Sequence, residues 1–424
     1  MSDTIFALSS GRPPAAVSII RVSGPRAHAA GQLLAGTLPD ARTAAVRSLH
    51  HPVSGDLLDQ ALLLRFDAPA SSTGEDVVEF QCHGGRAIID ALLGALAEVG
   101  GLRSAAPGEF TRRAFENGRI DLTEAEGLAD LIEAETESQR KAALALAEGG
   151  LKKQIAAWQD RLLSLSANVE LMIDYDDDDS AVDPAVSSGI AALADDLQGW
   201  LDQPRAERLK DGVLVVVAGP PNAGKSSLIN AIVGEDRTIV TPVPGTTRDY
   251  IEVPIALGGV PMRLTDTAGI RVTDDEVEAI GVGRARQLVE AADVLVWLGG
   301  DGPPPHSRVV AVRSKADLPS AQQANGEALP VSSLTGEGLP RLIERLLEGV
   351  RALLPSEGAV ALNRRQADHL AEATAALRRA AHESDPVLIA EELRHARTAF
   401  DRLTGRAGVE DVLDSLFGRF CLGK

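Results

Sequence analysis

Glycine, lysine and serine residues stand at spacings that suit polyphosphate binding between residues 219 and 226. This segment reads Gly-Pro-Pro-Asn-Ala-Gly-Lys-Ser and matches the pattern G-x-x-x-x-G-K-[ST]. Glycines allow backbone N–H groups to approach phosphate oxygens closely, and a following helix N-terminus adds further donors. Lys225 would reach the β and γ phosphates, and the Ser226 hydroxyl would bind Mg²⁺. The segment therefore predicts a nucleotide as ligand.

The elements that must position this loop can also be read from the sequence. Residues 213–218 form a short, β-branched apolar run that predicts a buried strand, and residues 227–233 can begin a helix. A strand, a loop and a helix in this order distinguish a phosphate loop from a glycine-rich turn that carries a surface lysine.

Two later segments predict contacts to Mg²⁺ and to the γ-phosphate. They read Gly-Thr-Thr-Arg-Asp at 245–249 and Asp-Thr-Ala-Gly at 266–269, the latter at the end of a predicted strand. We expect Thr247 to close on Mg²⁺ when a triphosphate is bound. Asp266 would hold Mg²⁺ through water, and the N–H of Gly269 would sense the γ-phosphate. Their order after a phosphate loop is typical of GTPases.

A third motif predicts that the base is guanine. Ser314-Lys315-Ala-Asp317 follows a predicted strand and is similar to the N-K-x-D motif of GTPases. In that motif the aspartate accepts hydrogen bonds from the guanine N1–H and exocyclic amine, which adenine cannot supply. Ser314 stands where the motif has asparagine, so we expect an altered affinity for the same base. The segment 332–334 is similar to the last base-contacting loop.

Segments outside the nucleotide motifs carry a resemblance to a known family. They read Asp-Thr-Ile-Phe-Ala-Leu at 3–8, Ile-Ile-Arg-Val-Ser-Gly-Pro at 19–25, Thr-Gly-Glu-Asp at 73–76, Val-Glu-Phe-Gln-Cys-His-Gly-Gly at 78–85, Pro-Gly-Glu-Phe-Thr-Arg-Arg-Ala-Phe-Glu-Asn-Gly-Arg-Ile-Asp-Leu at 107–122 and Phe-Cys-Leu-Gly-Lys at 420–424. Together with the GTPase motifs, they make the whole chain resemble the tRNA modification GTPases of the MnmE (TrmE) family.

The resemblance implies an activity, cofactors and partners. Members of the family act with the flavoprotein MnmG to add a (carboxymethyl)aminomethyl group to C5 of the wobble uridine, U34, of certain tRNAs. They bind 5-formyltetrahydrofolate or a related tetrahydrofolate, the one-carbon donor, at an N-terminal domain through which they form homodimers. Their GTPase domains meet when GTP and K⁺ are bound, and hydrolysis follows. A cytoplasmic location is expected.

The resemblance also implies ligands for each bound group. The K⁺ ligands would be Asn222, Thr241, Val243 and Thr246, because a hard monovalent cation takes oxygen ligands and here replaces an arginine finger. The Mg²⁺ ligands would be Ser226 and Thr247. The residues expected to bind the nucleotide and its ions are Asn222, Ala223, Gly224, Lys225, Ser226, Ser227, Thr241, Thr246, Thr247, Asp266, Thr267, Ala268, Gly269, Ser314, Lys315, Asp317, Ser332, Ser333 and Leu334.

The folate site implied by the family consists of Arg21, Glu79, Arg119 and Lys424. A carboxylate can bind the amide-like edge of the pterin, and arginine or lysine can bind the glutamate carboxylates of the folate. The family usually has lysine where this chain has Arg119, so the charge is kept with a different geometry.

Two residues are candidates for catalysis. Ile270 stands where Ras-like switches place a water-orienting glutamine, and an aliphatic side chain cannot align water. The resemblance favours Glu278 for that role, against a solvated acidic loop at 274–278. Cys421 is the fourth residue from the end of the sequence as given. The family links this cysteine to the modification reaction, and the alternative is a docked structural tail.

Composition limits the classes of partner. The net charge is −19, from 61 acidic residues against 42 lysines and arginines. This argues against binding tRNA through a broad basic surface, so a tRNA contact must be local or shared with a partner. Two cysteines in 424 residues exclude a disulfide framework and fit a reducing cytosol. No apolar run approaches the ~18 residues of a membrane span.

We predict a multidomain α/β chain. It comprises an N-terminal α+β folate-binding and dimerisation domain at 1–118, an all-α domain at 119–210 and 351–424, and an inserted Ras-like, doubly wound P-loop GTPase domain at 211–350. In the first domain we expect one helix, around 86–99. Thr123-x-x-Glu126 is expected to cap the first helix of the all-α domain.

Two other functions stay open on the sequence alone. A ribosome-assembly GTPase of the Era type shares the asparagine-bearing phosphate loop, but it appends basic RNA-binding domains that this acidic chain lacks. A regulatory switch would bind nucleotide tightly and hydrolyse it negligibly. Turnover and co-purification with ribosomal subunits distinguish these possibilities.

Overall fold

A computed structural model describes residues 3–174, 183–235, 252–267, 277–299, 302–318, 328–407, 410–418, 420 and 423. The chain divides into two compact units. The first comprises Met1–Ala129 with Asp401–Lys424, and the second comprises Asp130–Phe400.

Along the chain, a mixed region of strands and helices is followed by a helical region, a second region of strands and helices, and a final helical region. In chain order they are β1 (Thr4–Leu8), β2 (Ala15–Ser23), α1 (Ala27–Ala35), β3 (Ala45–His50), β4 (Leu57–Phe66), β5 (Val77–Gly84), α2 (Arg86–Ala97), β6 (Leu102–Ser104), α3 (Glu109–Glu116), α4 (Leu122–Glu133), α5 (Glu137–Ala147), α6 (Gly150–Asp174), α7 (Pro184–Leu201), α8 (Ala206–Asp211), β7 (Val213–Ala218), α9 (Lys225–Glu235), β8 (Glu252–Leu257), β9 (Val260–Asp266), α10 (Val277–Ala291), β10 (Val294–Trp297), β11 (Val309–Arg313), β12 (Leu329–Pro330), α11 (Leu339–Arg351), α12 (Arg364–His382), α13 (Pro386–Thr404) and α14 (Glu410–Phe417).

The first unit is built on a mixed sheet in the order β3-β4-β5-β2-β1-β6. Its strands pair antiparallel except β1 and β6, which are parallel. Side chains alternate across β2, so Ile20 and Val22 are buried with Phe80 in the core, while Arg21 points to the other face. The register pairs Arg21 with Glu79 of β5 and therefore places both side chains on that face.

The second unit contains a sheet in the order β12-β11-β10-β7-β9-β8, parallel except for the antiparallel β8–β9 pair. Strand β7 reads Val-Leu-Val-Val-Val-Ala and is almost entirely buried. A strand that is covered on both faces requires such a continuous apolar run. The parallel strands bring their carboxyl ends to one edge, and the predicted nucleotide motifs follow these ends.

Helices that precede this sheet in the sequence pack against helices that follow it, within the second unit. Helix α7 packs against α6 and α12. Trp158 of α6 is fully buried, with its ring 6.1 Å from that of Phe400 and 5.5 Å from that of Trp200. Aromatic packing of this kind stabilises a helical core beyond its buried area. Within the described residues, no helix is both long enough and apolar enough to cross a membrane.

The structure confirms the predicted fold class and corrects two local predictions. Within residues 3–118 there are three helices, α1, α2 and α3, where the sequence analysis anticipates one around 86–99. Helices α1 and α3 have nine and eight residues, too short for a clear periodic pattern. The predicted domain boundaries at 118, 210 and 350 stay predictions.

The cap of α4 is the second correction. Asp121 Oδ1 accepts the backbone N–H of Glu124 at 2.9 Å, and the Glu124 carboxylate accepts the N–H of Asp121 at 2.8 Å. Thr123, the predicted cap, lies inside the helix and donates its hydroxyl to Asp121. The reciprocal pair has the predicted three-residue spacing but begins two residues earlier, because an aspartate at that point is an equally good cap.

Candidate functional site

The phosphate loop leaves β7 through a backbone that requires glycine. Gly219 has φ +153°, and a Cβ there would lie 2.7 Å from the carbonyl oxygen of Leu298. Gly224 has φ +91°, and the space beside it is open. Asn222, with φ 59°, takes the left-handed conformation that asparagine tolerates best among residues with a side chain. The loop thus curls between β7 and α9 with its backbone accessible to a ligand.

Lys225 begins α9 and lies folded into the loop. Its side chain is buried, and Nζ donates to the carbonyl oxygens of Gly219 at 2.9 Å and Pro220 at 3.0 Å. A buried ammonium group must be compensated by such acceptors. An ammonium has three N–H donors, so one of them has no acceptor among the described residues and is available for a phosphate oxygen.

The two predicted Mg²⁺-site side chains of the described region face each other. Ser226 Oγ donates to Asp266 Oδ2. Thr267, the next residue, donates its hydroxyl to the carbonyl oxygen of Val217 at 3.3 Å, which ties the end of β9 to β7. A hydroxyl and a carboxylate are ligands that suit Mg²⁺, which keeps several waters and accepts oxygen donors. This donor set therefore fits Mg²⁺.

The base motif is joined to the phosphate loop by two hydrogen bonds. Ser314 Oγ donates to the carbonyl oxygen of Ala223 at 2.6 Å, and Lys315 Nζ donates to that of Asn222 at 3.0 Å. Lys315 has φ 58°, a conformation that costs energy for a long side chain. The motif and the loop therefore form one rigid unit, although they lie about ninety residues apart in the sequence.

Asp317 is held by the last base loop. Ser332, which is fully buried, donates its hydroxyl to Asp317 Oδ1 at 2.6 Å. The same Ser332 oxygen accepts the backbone N–H groups of Leu334 at 3.3 Å and Thr335 at 3.2 Å. Oδ2 of Asp317 has no described hydrogen bond and is left for a base. This arrangement presents a fixed carboxylate, as guanine recognition requires.

Ser314 differs from asparagine in what it can offer. A hydroxyl carries one hydrogen, and the contact to Ala223 uses it. An asparagine amide would have a second N–H for the base. Ser314 thus keeps the hydrogen bond to the phosphate loop, but toward the base its hydroxyl oxygen can only accept hydrogen bonds.

The structure brings together only part of the predicted nucleotide set. Ser227 is exposed on α9, Ser333 is half-buried, and Leu334 is 84% exposed. Glu278 lies in α10, but its side chain is outside the described residues. Also outside them are Thr241, Val243, Thr246, Thr247, Ala268, Gly269, Cys421 and Lys424.

The first unit contains two of the predicted folate residues in direct contact. Arg21 Nε donates to Glu79 Oε1 at 2.8 Å, and the guanidinium lies 5.5 Å from the ring centre of Phe110. Both charged side chains are mostly shielded from solvent. Arg119 is exposed, and its side chain passes Gly74, where an added Cβ would lie 3.2 Å from its Cγ. Phe110, which is buried, lies behind the Arg21 guanidinium, and its sequence position alone does not indicate this contact.

A buried charge network near this site was also not predicted. Arg113, only 7% exposed, donates to Asp3 at 2.7 Å and to Glu75 and Glu109 at about 3.1 Å. Burial acts to lower the pKa of the Arg113 guanidinium, but Glu75 and Glu109 outweigh it and raise this pKa above its ordinary value. Ser23 donates to Glu75 at 2.8 Å. The sequence indicates this network only indirectly, because its charged residues occur in segments that resemble the MnmE family but have no assigned role.

Cys82 has the structural role that its strand position indicates. It is 2% exposed, and its thiol donates to the carbonyl oxygen of Ser18 at 3.4 Å. Burial, with a contribution from the charge of Asp59, raises the pKa of the Cys82 thiol to about 11. His83 contacts Asp59 through Nδ1 at 2.7 Å. A protonated, buried thiol is not a nucleophile at neutral pH.

The phosphate loop and the guanine-type motif are joined at the carboxyl ends of parallel strands in one sheet. This fold and site define an enzyme of the P-loop GTPase class. A family model described as "MnmE helical domain" matches residues 122–421, and one described as "GTP-binding protein TrmE N-terminus" matches residues 4–119. The chain belongs to the MnmE (TrmE) family.

Curated relatives agree over the full length. Proteins named "tRNA modification GTPase MnmE" from Rhizorhabdus wittichii and Novosphingobium aromaticivorans are 52% and 49% identical, covering 100% of this chain and 97% and 100% of theirs. The protein of that name from Erythrobacter litoralis is 50% identical, with 100% of both chains covered. Among solved structures, the G domain of the T. maritima FeoB iron transporter is similar to 32% of this chain and is covered over 98% of its own, at 25% identity and a TM-score of 0.25.

Proposed function

We propose that this chain is a K⁺-stimulated GTP hydrolase that works with an MnmG-type flavoprotein on tRNA. The pair would add a (carboxymethyl)aminomethyl group to C5 of the wobble uridine, U34, with a one-carbon unit from 5-formyltetrahydrofolate or a related tetrahydrofolate. The observation that carries the proposal is the roughly 50% identity to family members over the whole chain. It is supported by the two hydrogen bonds that join the base motif to the phosphate loop.

The proposed GTP chemistry uses few side chains. Lys225 would neutralise charge on the β and γ phosphates. Ser226 would bind Mg²⁺ directly and Asp266 would hold it through water, and the ion would neutralise charge that develops on the phosphate oxygens. Thr247 and Gly269 would close on the γ-phosphate side. Ile270 cannot orient water, so Glu278, at the start of α10, would position the attacking water.

K⁺ is proposed as the replacement for an arginine finger. Asn222 is exposed at the tip of the phosphate loop, in a left-handed conformation that the two hydrogen bonds from the base motif help to hold. Its side-chain oxygen, with oxygens of Thr241, Val243 and Thr246, would bind the ion beside the phosphates. A cation there stabilises transition-state charge. We propose that two GTPase domains of a homodimer, each at 211–350, meet around it.

The folate donor is proposed to bind at the Arg21–Glu79 pair in the N-terminal domain, at 1–118. Glu79 would accept hydrogen bonds from the pterin edge, while Arg21, Arg119 and Lys424 would bind carboxylates. The buried ring of Phe110 lies against the Arg21 guanidinium and would help to hold it in position for a carboxylate. The all-α domain, at 119–210 and 351–424, would carry Cys421 to the modification reaction.

The proposed hydrolysis predicts a strong preference for K⁺. At equal ionic strength, we expect GTP turnover by the full chain to be at least about tenfold faster in K⁺ than in Na⁺, because oxygens spaced for K⁺ bind the smaller Na⁺ less well. Asn222→Ala should abolish this preference. Steady-state phosphate release in the two buffers measures it.

The matched control is Asn230→Ala, on the exposed face of α9 away from the loop tip. It should keep the K⁺ preference. Equal, slow rates of the unaltered chain in both buffers would contradict K⁺ stimulation and would favour a regulatory switch. Co-purification with ribosomal subunits would favour the assembly GTPase.

Folate binding can be separated from GTP hydrolysis by one substitution. Arg21→Ala should weaken 5-formyltetrahydrofolate binding about 10- to 100-fold, the effect of losing hydrogen bonds between charged groups. GTP turnover should stay within about twofold, because the nucleotide motifs lie in the other unit. Calorimetric titration measures folate binding, and phosphate release measures GTP turnover. Arg47→Ala, at the exposed edge strand β3, is the control; loss of both activities in Arg21→Ala would show that the folate site is misplaced.

A further inference from the structure

A cavity of about 760 Å³ lies in the second unit, away from the phosphate loop. It is bounded by the end of α4, one side of helix α5, helix α8 and the neighbouring strands β8 and β9. This volume falls in the range of small-molecule sites. None of the residues assigned to GTP, Mg²⁺, K⁺ or folate lines it.

The floor of the cavity is apolar. Five side chains that are at least nine-tenths buried form part of it: Ala143, Leu146, Leu209, Ile255 and Met262. Other apolar lining residues are still in contact with solvent, because Ile132 is 37% exposed and Ala142 and Pro254 are half-buried. An aromatic or aliphatic ligand group that covers these side chains removes their apolar surface from water, which favours binding.

The rim of the cavity is negatively charged. It carries five carboxylates and two cationic side chains: Asp130, Glu133, Glu135, Asp211 and Glu252, with Lys210 and Arg263. Lys210 pairs with Asp130 at 2.6 Å and with Glu133 at 3.1 Å, and Arg263 pairs with Glu252 at 3.0 Å. Glu135 and Asp211 form no ion pair within the described part of the chain. The cations are therefore satisfied, and the surplus charge is negative.

Hydrogen bonds within the protein hold the elements around the cavity in place. Thr136 and Gln139 form a capping box at the start of α5, and the Gln139 amide also donates to the carbonyl oxygens of Leu209 at 3.1 Å and Lys210 at 3.2 Å. Ser138 donates its hydroxyl to Gly259, in the turn between β8 and β9, at 2.8 Å. The cavity is therefore preformed, which lowers the entropic cost of binding.

We propose that this cavity binds a small amphipathic cation. An aromatic or aliphatic body would cover Ile132 and Pro254 above the buried floor, and a positively charged group would lie at the rim beside Glu135 and Asp211. An anion of the same size would meet the surplus carboxylates and be excluded. The site takes a ligand chemically unlike GTP or folate, both of which are anionic, and it does not depend on the function proposed above.

A pair of dyes of opposite charge tests the proposal with the full chain. Thioflavin T is a cationic aromatic probe, and anilinonaphthalene sulfonate is an anionic one. Fluorescence titration should show saturable, one-to-one binding of thioflavin T that weakens as salt is added, with the anionic dye at least about tenfold weaker. Ala143→Phe, which fills the cavity, should weaken thioflavin T at least about tenfold.

Two further variants make the outcome decisive. Ala157→Phe, at an exposed position of α6, adds the same ring outside the cavity and should leave thioflavin T binding unchanged. The double variant Glu135→Gln, Asp211→Asn changes exposed positions only and should weaken thioflavin T about threefold or more without affecting the fold. If Ala143→Phe does not fold, this double variant still tests whether the cavity binds the cationic dye. Unchanged thioflavin T affinity in the double variant, or equal affinity for both dyes, would overturn the proposal.

Discussion

Asp317→Asn is expected to exchange guanine for xanthine as the preferred base. The Asp317 carboxylate is held by Ser332 through Oδ1, and Oδ2 has no hydrogen bond within the described part of the chain. A carboxylate accepts from guanine N1–H and its exocyclic amine, whereas an asparagine amide presents an N–H toward that amine and repels it. Xanthine has a carbonyl at that position and can accept the amide hydrogen. Losing two charge-assisted hydrogen bonds costs roughly 3–6 kcal/mol, so GDP affinity should fall about 10²- to 10⁴-fold.

Equilibrium binding of fluorescent GDP and XDP analogues measures this exchange. XDP should bind the variant more tightly than GDP does, the reverse of the unaltered chain. Asp202→Asn, the same substitution at the exposed end of α7, should change neither affinity. If Asp317→Asn binds GDP as the unaltered chain does, the base is read by other residues and the guanine assignment fails.

Lys225→Ala is expected to reduce GTP turnover about a thousandfold. Removing one preorganised charge aimed at the transferring phosphate costs roughly 3–4 kcal/mol of transition-state stabilisation. The loop should also lose order, because the carbonyl oxygens of Gly219 and Pro220 lose their shared donor. Single-turnover hydrolysis at saturating GTP in K⁺ buffer measures the chemical step.

Lys153→Ala is the matched control, since Lys153 is an exposed lysine on α6. It should keep full turnover. Thermal unfolding without nucleotide separates the two effects of Lys225→Ala, because loss of loop order alone lowers the midpoint by a few degrees. A Lys225→Ala variant with turnover within tenfold of the unaltered chain would exclude Lys225 from phosphate neutralisation.

Signals confined to a few neighbouring residues predicted the structure well. Strand β7, the loop at 219–224 and helix α9 follow from an apolar run, glycines and a lysine that are consecutive in the chain. The strand that ends at Asp266 and the strand before Ser314 follow in the same way. Each depends on local propensity and burial, which periodicity reports directly.

Features that join distant segments could not be predicted. The Ser314 hydroxyl meets Ala223 only because two parallel strands end at the same edge of the sheet, and nothing near Ser314 indicates that partner. The Arg113 network likewise joins side chains from three distant parts of the first unit. The α4 cap shows the limit even for local signals, because Asp121 and Thr123 both satisfy the capping pattern and packing decides between them.

Both edges of the nucleotide-binding sheet carry proline. Pro254 lies in the edge strand β8, and Pro330 ends the two-residue edge strand β12. Proline has no backbone N–H to offer, and an edge strand that is very short or interrupted by proline resists pairing with a strand from another molecule. Two copies of this sheet therefore cannot readily merge into a continuous one. The sheet is thereby protected from aggregation by strand exchange.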